Sequence, residues 1–318
     1  MASIASLFAA VLPMTSYLFL IWWMDKNERE PLLFLLLHFI WGALGATLLA
    51  VGGNIFLSYL LGVSDVGANG SSLIQTVIFA PISEEGAKGI FLLYTLNSKK
   101  FDNITDGLVY GGAIGLGFGM TENFIYYIAY GDTLHSWIQL VLIRSLFSAV
   151  MHMISTATLG AFLAMAKFSL SRLRIILPVA GLILAMTIHF IWNSTVSFEN
   201  YILFGFLFMI ILISFFFSVF RLTINNEKKI IEKELEEESI LNLIPRAHIK
   251  ILSTHLRFRR GWIDERIRKL YISCTVKLAF RKNQIKNSSG SSREYYESEI
   301  KQLRGLINSM LRNNSSAI

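Results

Sequence analysis

The sequence predicts an all-α protein: a polytopic membrane helix bundle of about seven transmembrane helices with a C-terminal cytoplasmic helical region. Composition supports this class, because 53% of the 318 residues are hydrophobic and only 16% are charged, whereas soluble domains carry about 25% charged residues. The apolar runs support it as well, since seven of them reach the length of about 20 residues that a helix needs to cross a bilayer. We therefore expect a multi-pass protein of the cell membrane.

The predicted spans follow one another along the chain, and the loops between them indicate orientation. The spans cover residues 5–24, 32–61, 71–97, 104–130, 135–166, 175–197 and 201–222. Lys and Arg residues occur in the loops on one side and are missing from the loops on the other. Because positively charged loops stay in the cytoplasm, the prediction is an N-terminus outside and a C-terminus inside. Several runs exceed the minimum length, so we also expect tilted or kinked helices.

Charge divides the sequence into a transmembrane domain over 1–222 and a basic cytoplasmic helical tail over 223–318. The tail holds 19 Lys and Arg residues against 11 Asp and Glu residues. Such a tail suits contact with an anionic membrane surface, and no aromatic-basic pattern of a nucleic-acid reader is present. The charge run over 227–238 predicts a solvated helix that continues the seventh span.

Three charged side chains lie in the middle of the third predicted span: Glu84, Glu85 and Lys88. An ionisable group at that depth costs about 2.5–3.5 kcal/mol, so it indicates a functional site that faces the bundle interior. On a helix Lys88 can reach either carboxylate, since Glu84 lies four residues before it and Glu85 three. Lys88 can thus neutralise one acid and leave the other free for chemistry. The alternative is a structural ion pair that holds two helices together.

The fourth span carries a small residue at every fourth position, which predicts a close approach to another helix. These residues are Gly107, Gly111, Gly115 and Gly119.

Further polar side chains occur in the next three spans. They are Glu122 and Asn123 in the fourth, Arg144 and His152 in the fifth, and His189 and Asn193 in the sixth. A buried arginine needs a carboxylate, and the membrane offers it only the three glutamates. Two cations then face three acids, which leaves one carboxylate for a proton or a metal. His189 and Asn193 are four residues apart, so the amide can orient the imidazole.

Glutamates and histidines in a dry pocket suit the activation of water. A carboxylate takes the proton from water, and histidines either ligate a metal or steady the oxyanion. Glu122, His152 and His189 supply the donor count of a catalytic zinc site with an open position. Two other functions stay open: a proton- or ion-coupled transporter, which uses the same residue types, and a non-catalytic scaffold, whose binding of single-span membrane proteins does not depend on the carboxylates.

Four short motifs, taken together and in order, resemble those of the PrsW family of intramembrane proteases. They are Glu84-Glu85-x-x-Lys88, Phe118-x-x-x-Glu122-Asn123, the segment from Arg144 to His152, and His189-x-x-x-Asn193. The family is related to the type II CAAX prenyl endopeptidases and the bacteriocin-processing membrane proteases. The resemblance covers about residues 15–195. It implies a hydrolase of the bacterial plasma membrane that makes the first, outer cut in an anti-sigma factor or a similar single-span protein during signal transduction.

The resemblance also implies roles for the motif residues. Glu84 is expected to be the general base, and Glu85 its partner or second acid, tied to Lys88. Glu122, His152 and His189 are expected to position water or a metal such as zinc. Asn123, Arg144 and Asn193 are expected to support them, Asn193 through His189. A metal-dependent and a glutamate-dependent mechanism both need these residues and both stay open.

Overall fold

The computed structural model describes residues 3–63, 73–169, 172–286, 288 and 290–315. Within those ranges the chain forms helices and no β-strand, which confirms the all-α prediction. The first two residues of the third predicted span, 71 and 72, lie outside them. The helices group into two compact units, one made of residues 3–24, 30–167 and 172–220, the other of 25–29, 168–169 and 221–315.

Among the residues that the structure describes, seven longer helices begin in the first unit, one in each predicted span. They are α1 (Ser3–Met24), α2 (Leu32–Leu60), α3 (Ala80–Thr95), α4 (Ile104–Tyr130), α5 (Leu134–Lys167), α6 (Leu173–Val196) and α7 (Ile202–Ile240). Five of them, α1, α2, α5, α6 and α7, are long and apolar enough to cross a membrane. The protein is therefore a multi-pass membrane protein. The count of seven spans and their orientation stay predictions.

Wide π-helical turns interrupt the regular helices at three places. One lies in α2 at Trp41–Ala46, one directly precedes α3 at Gln75–Phe79, and one lies in α5 at Arg144–Ser148. Such turns change the direction of the side chains that follow them and are frequent at functional sites. The sequence indicated kinked helices, but it did not indicate these positions.

Two helix starts are fixed by reciprocal side-chain caps. Asn103 and Asp106 form a capping box at the start of α4, and Thr133 and Ser136 form another at the start of α5. Each box satisfies backbone N–H groups that the first helical turn leaves unpaired. The two caps define where the central helix pair begins.

Helix α4 is the centre of the first unit and is buried along most of its first 16 residues. Its glycine row lies against the backbone of α5. A Cβ atom added at Gly107, Gly111 or Gly115 would lie within 3.0 Å of a carbonyl oxygen of α5, that of His152 in the case of Gly115. The predicted close approach is confirmed. It brings the His152 segment directly beside the segment that carries Glu122.

The second unit packs the C-terminal part of α7 with α8 (Arg246–Leu252), α9 (Glu265–Ile285) and α10 (Gly290–Ser315). Its core includes Leu235, Tyr271 and Phe280. Helix α7 has 39 residues, which at 1.5 Å per residue is about 58 Å, roughly twice the hydrocarbon thickness of a bilayer. The predicted continuation of the last span into a charged helix is confirmed.

The prediction that the charge run of α7 is solvated is wrong for part of it. Glu234 and Glu238 have side chains that are 1% and 0% exposed. Burial is tolerated because cations lie beside them: Lys282 Nζ is 2.8 Å from Glu238 Oε1, and Arg304 Nη2 is 2.6 Å from the same oxygen. These partners come from α9 and α10, which no local pattern in the run could reveal.

Candidate active site

The charged turn of α3 forms one half of the site. Lys88 Nζ lies 2.8 Å from Glu85 Oε1 and 3.5 Å from Glu84 Oε2, and the Lys88 and Glu85 side chains are completely buried. Phe118 closes the site on another side, with its ring 3.9 Å from the ammonium group. Lys88 therefore neutralises Glu85 first. Glu84, whose side chain is 14% exposed, is the carboxylate left over.

His189 of α6 is oriented by the buried carboxylate. Its Nδ1 lies 3.0 Å from Glu85 Oε1. A carboxylate only accepts hydrogen bonds, so Nδ1 carries the proton and Nε2 of the neutral ring keeps its lone pair. That Nε2 lies 3.9 Å from Glu84 Oε2, beyond hydrogen-bonding distance. Two acceptor atoms thus face each other with no donor between them.

His152 of α5 is held on both ring nitrogens. Lys88 Nζ donates to its Nδ1 over 2.9 Å, and its Nε2 lies 2.7 Å from Glu122 Oε2. Because Lys88 has no acceptor, Nδ1 is the acceptor and Nε2 donates to Glu122. The two histidine rings are edge to face, with centroids 4.8 Å apart.

Arg144 finds the carboxylate that the sequence required. Its Nη2 lies 2.8 Å from Glu122 Oε2, and its Nε donates to Asn123 Oδ1 over 3.1 Å. The guanidinium also lies over the ring of Tyr126, 3.6 Å from the ring centre. Glu122 is thereby fixed between a permanent cation and an imidazole N–H. Tyr126 thereby contributes to this site.

Glu84 opens into a cavity of about 390 Å³ within the first unit. Glu122, Arg144, His152 and Asn193 also line it. Glu84 Oε2 is buried and has no hydrogen-bond partner among the described residues. A buried carboxylate oxygen without a partner is costly, so its presence at a cavity wall indicates a place for water, an ion or substrate.

The donor set fits a metal ion. Glu84, His152 and His189 each offer a ligand atom, and these atoms lie within 4.8 Å of one another. One carboxylate and two imidazoles are the ligands of many catalytic zinc sites, and the Glu85–His189 hydrogen bond is the support that a metal-bound imidazole requires. To bind an ion, His152 would release either Lys88 or Glu122. The group contains Glu84 where the sequence-based set had Glu122, because Glu122 turns toward Arg144.

The structure brings together eight of the nine predicted residues through direct contacts and places the ninth at the cavity wall. Asn193 does not contact His189 as expected: its Nδ2 donates to the carbonyl oxygen of Thr76 over 2.9 Å. Glu85 supports His189 instead. Thr156, which follows His152 by one helical turn, donates to Glu85 Oε2 over 3.2 Å. The regular spacing of polar residues in α5 is the signal that could have assigned it.

Comparison with known proteins identifies the family. Residues 30–220 match the model of the PrsW family intramembrane metalloproteases. Protease PrsW of Geobacillus kaustophilus is 27% identical over 58% of this chain and 76% of its own. Protease PrsW of Bacillus subtilis is 26% identical over 52% of this chain and 70% of its own. Protease PrsW of Oceanobacillus iheyensis is 28% identical over 70% of this chain and 95% of its own. No solved structure is significantly similar.

The matched region contains all of α2 to α6 and therefore every residue of the site described above. The four motifs, their convergence on one cavity and the match over most of the membrane unit lead to the same conclusion. This chain belongs to the PrsW family of intramembrane proteases and is a multi-pass membrane protease.

Proposed function

We propose that this protein cuts single-span membrane proteins by an attack of water that Glu84 activates. The observation that carries the proposal is a pair of acceptors, Glu84 Oε2 and His189 Nε2, which lie 3.9 Å apart; Glu84 lines the cavity. A water molecule there can donate to both. Its oxygen is then held in a site from which hydrocarbon and bulk water are largely excluded, where electrostatic effects are strong.

In the reaction, the water oxygen forms a bond to the scissile carbonyl carbon while Glu84 takes the proton. The carbon–nitrogen bond then breaks, and the same carboxyl group returns the proton to the leaving amide nitrogen, so protons balance. Glu85 is unsuited to this task because Lys88, His189 and Thr156 already bind its two oxygens. Its role is to orient the ammonium and imidazole groups around the reacting atoms.

The remaining residues stabilise charge. His152 donates from Nε2 toward the cavity side of Glu122, and Arg144 supplies a fixed positive charge that lines the cavity. A tetrahedral intermediate formed beside Glu84 carries an oxyanion, and preorganised donors around such an anion contribute strongly to catalysis. Glu122 keeps both donors in place when substrate is absent.

A zinc ion is the cofactor that we propose for a metal-dependent form of this reaction; Glu84, His189 and His152 would hold it, and Glu84 would then serve as a ligand and not as the base. When bound, such an ion supplies Lewis acidity: it polarises a carbonyl group and lowers the pKa of water. The family description as metalloproteases and the unpartnered oxygen of Glu84 support this assignment. A glutamate-type enzyme without metal uses the same contacts and is the alternative.

As substrate we propose an anti-sigma factor or a similar single-span protein, cut on the outer side of the membrane. The resemblance to the PrsW family supports this substrate class. The position of the cavity supports the side of the cut, because Asn193 and Ser197 line it and fall at the outer end of the sixth span in the predicted orientation.

The experiment is cleavage in reconstituted liposomes, with anti-sigma factors and other single-span proteins as candidate substrates. Wild type is compared with Glu84→Gln and His189→Ala, and matched controls are Glu199→Gln and His135→Ala, which change exposed residues outside the cavity. We expect cleavage by the wild type and both controls and none by the site variants. Equal cleavage by Glu84→Gln would show that the assignment of the base is wrong.

The role of metal is measured on the same samples. Elemental analysis gives the zinc content of the wild type and of both site variants, and cleavage is repeated after chelation and after zinc is restored. Bound zinc that falls in both variants, with activity that follows it, supports the metal assignment. Activity that is indifferent to chelation favours the glutamate-type enzyme.

A further inference from the structure

A groove of about 520 Å³ runs along α2 beside the catalytic cavity. Its apolar residues are Val51, Ile55 and Tyr59, and its polar residues are Asn54, Ser58 and Gln75. Asn54 and Gln75 line the groove and the catalytic cavity alike. The two spaces therefore share a wall, and the groove leads to the cavity that contains Glu84.

The shared wall offers an unused hydrogen-bond acceptor. Asn54 Oδ1 is buried and has no hydrogen-bond partner among the described residues. Lipid tails cannot supply a donor, so a polar atom at this place is satisfied only by protein or by water. On the same wall Gln75 Nε2 donates to Ser58 Oγ over 3.1 Å, which ties α2 to the π-helical turn before α3.

The rim of the groove is apolar and open. The exposed fractions of Val51, Ile55 and Tyr59 are 54%, 66% and 86%. A polar floor under an apolar rim suits a polypeptide whose backbone lies inward and whose apolar side chains lie outward. The helical part of the groove, from Val51 to the end of α2 at Leu60, is about 14 Å long, which corresponds to about four extended residues.

We propose that this groove receives an extended segment of about four residues from a single-span substrate and leads it to Glu84. Asn54 accepts a hydrogen bond from a backbone N–H group of that segment. A helical substrate cannot occupy the groove in this way, because the N–H groups inside a helix are already bound to its own carbonyl groups. The site thus selects substrates that unwind beside their membrane span. The inference depends on the proposed function.

Disulfide crosslinking tests occupancy without any need for cleavage. In full-length Glu84→Gln protein with Cys274→Ser, a single cysteine is placed at Ile55 or, as control, at Leu49, which lies on α2 outside the groove. The probe is a synthetic peptide with a Leu/Ala span of about 20 residues and a five-residue Gly/Ser flank that holds one cysteine. A second peptide has a helix-forming Ala/Leu flank.

We expect Ile55→Cys to crosslink to the Gly/Ser-flanked peptide about tenfold more than to the helical one, and more than Leu49→Cys does. Equal crosslinking at the two positions, or of the two peptides, would overturn the proposal.

Cleavage provides the second test. Ile55→Trp fills the groove, and Leu49→Trp adds the same bulk outside it. We expect the first change to lower kcat/KM for the single-span substrate by about tenfold or more, and the second to leave it near that of the wild type. Wild-type rates in Ile55→Trp would count against the groove. If no wild-type cleavage is found for any substrate, the proposed function fails, and the crosslinking alone decides whether the groove binds peptide.

Asn54 is a positioning residue in this proposal, and its kinetics distinguish that role from a structural one. Asn54→Leu removes the acceptor at nearly constant size, so KM should rise about tenfold with little change in kcat. Asn54→Asp keeps an acceptor oxygen and should restore most of the lost affinity. A fall in kcat with unchanged KM would contradict the assignment.

Discussion

Two clusters of charge, one in each unit, surround buried glutamates and differ in how completely these are neutralised. In the membrane unit Glu84, Glu85 and Glu122 face two permanent cations, Lys88 and Arg144. In the second unit Glu234, Glu237 and Glu238 face three, Lys282, Lys286 and Arg304. Only the membrane cluster includes histidines, and only there does a spare carboxylate border a cavity with titratable partners.

The comparison indicates what each cluster is for. Removal of one partner from a buried ion pair is strongly destabilising, because the remaining charge is left unpaired. A cluster with equal charges is therefore costly to break, whereas a cluster with a surplus acid holds a group that is costly for the fold and available for chemistry. Active sites commonly contain groups that lower the free energy of unfolding.

The largest expected effect comes from Glu84→Gln. Loss of a general base lowers the rate by about 10³-fold, while the free energy of unfolding stays the same or rises, since a surplus buried charge is removed. The measurements are the rate of cleavage in liposomes and the thermal midpoint in detergent. A large loss of stability would show that Glu84 is a structural partner, as the carboxylates of the second unit are.

Glu238→Gln should give the opposite result. Lys282 and Arg304 lose their shared partner, so the free energy of unfolding of the second unit falls by about 3 kcal/mol, and the chemistry at Glu84 is unchanged. Hydrogen exchange of α9 in the full-length protein measures the effect. Glu236→Gln is the matched control, since its partner Arg246 is 82% exposed and such a pair contributes about 0–1 kcal/mol.

Gly115→Ala tests whether the membrane cluster depends on helix contact. The added Cβ atom would overlap the carbonyl oxygen of His152, so α5 must shift and the His152 ring with it. A displacement of about 1 Å at catalytic groups costs about 100-fold in rate. Gly52→Ala is the control, because outside the adjoining backbone of its own helix no atom of the described residues lies within 4 Å of a Cβ atom there. Similar rates for the two variants would contradict this dependence.

The smallest effect is a loss of order in the second unit at low pH. Burial alone raises the pKa of Glu299, but the hydrogen bond from Lys277 and the charge of Arg281 outweigh it, and the net pKa is lowered. A carboxyl group whose pKa is lower in the folded state contributes stability above its unfolded pKa of about 4.5. That contribution is lost as the pH falls through the folded pKa. We expect the protection factors of the α10 amides, which correct for the intrinsic exchange rate, to fall below about pH 4.5.

Glu299→Gln is the control for this acid effect. The variant should be less stable at neutral pH, and the protection factors of its α10 amides should depend less on pH between 3 and 6. Protection of the α10 amides that falls only at alkaline pH would show that the Glu299 ion pairs do not cause the loss of order at low pH. An unchanged pH dependence in the variant would show the same.

The sequence by itself determined the helical class, the membrane location and the set of polar residues that form the site. The sequence shows the apolar runs that are long enough to cross a bilayer and the charged residues within them. It also shows the glycine row of α4 and the need of Arg144 for a carboxylate. The family motifs then indicated that these residues belong together.

Only the tertiary structure decided which atoms meet. Packing within the unit decides that Lys88 pairs with Glu85, Arg144 with Glu122 and Asn193 with the carbonyl group of Thr76. The π-helical turns before α3 and within α5 also change the directions in which side chains leave the helix. The prediction of a solvated charge run in α7 was wrong for Glu234 and Glu238 for the same reason. A pattern within one helix gives the face of a side chain, whereas its partner lies on another helix whose position is set by packing of the whole unit.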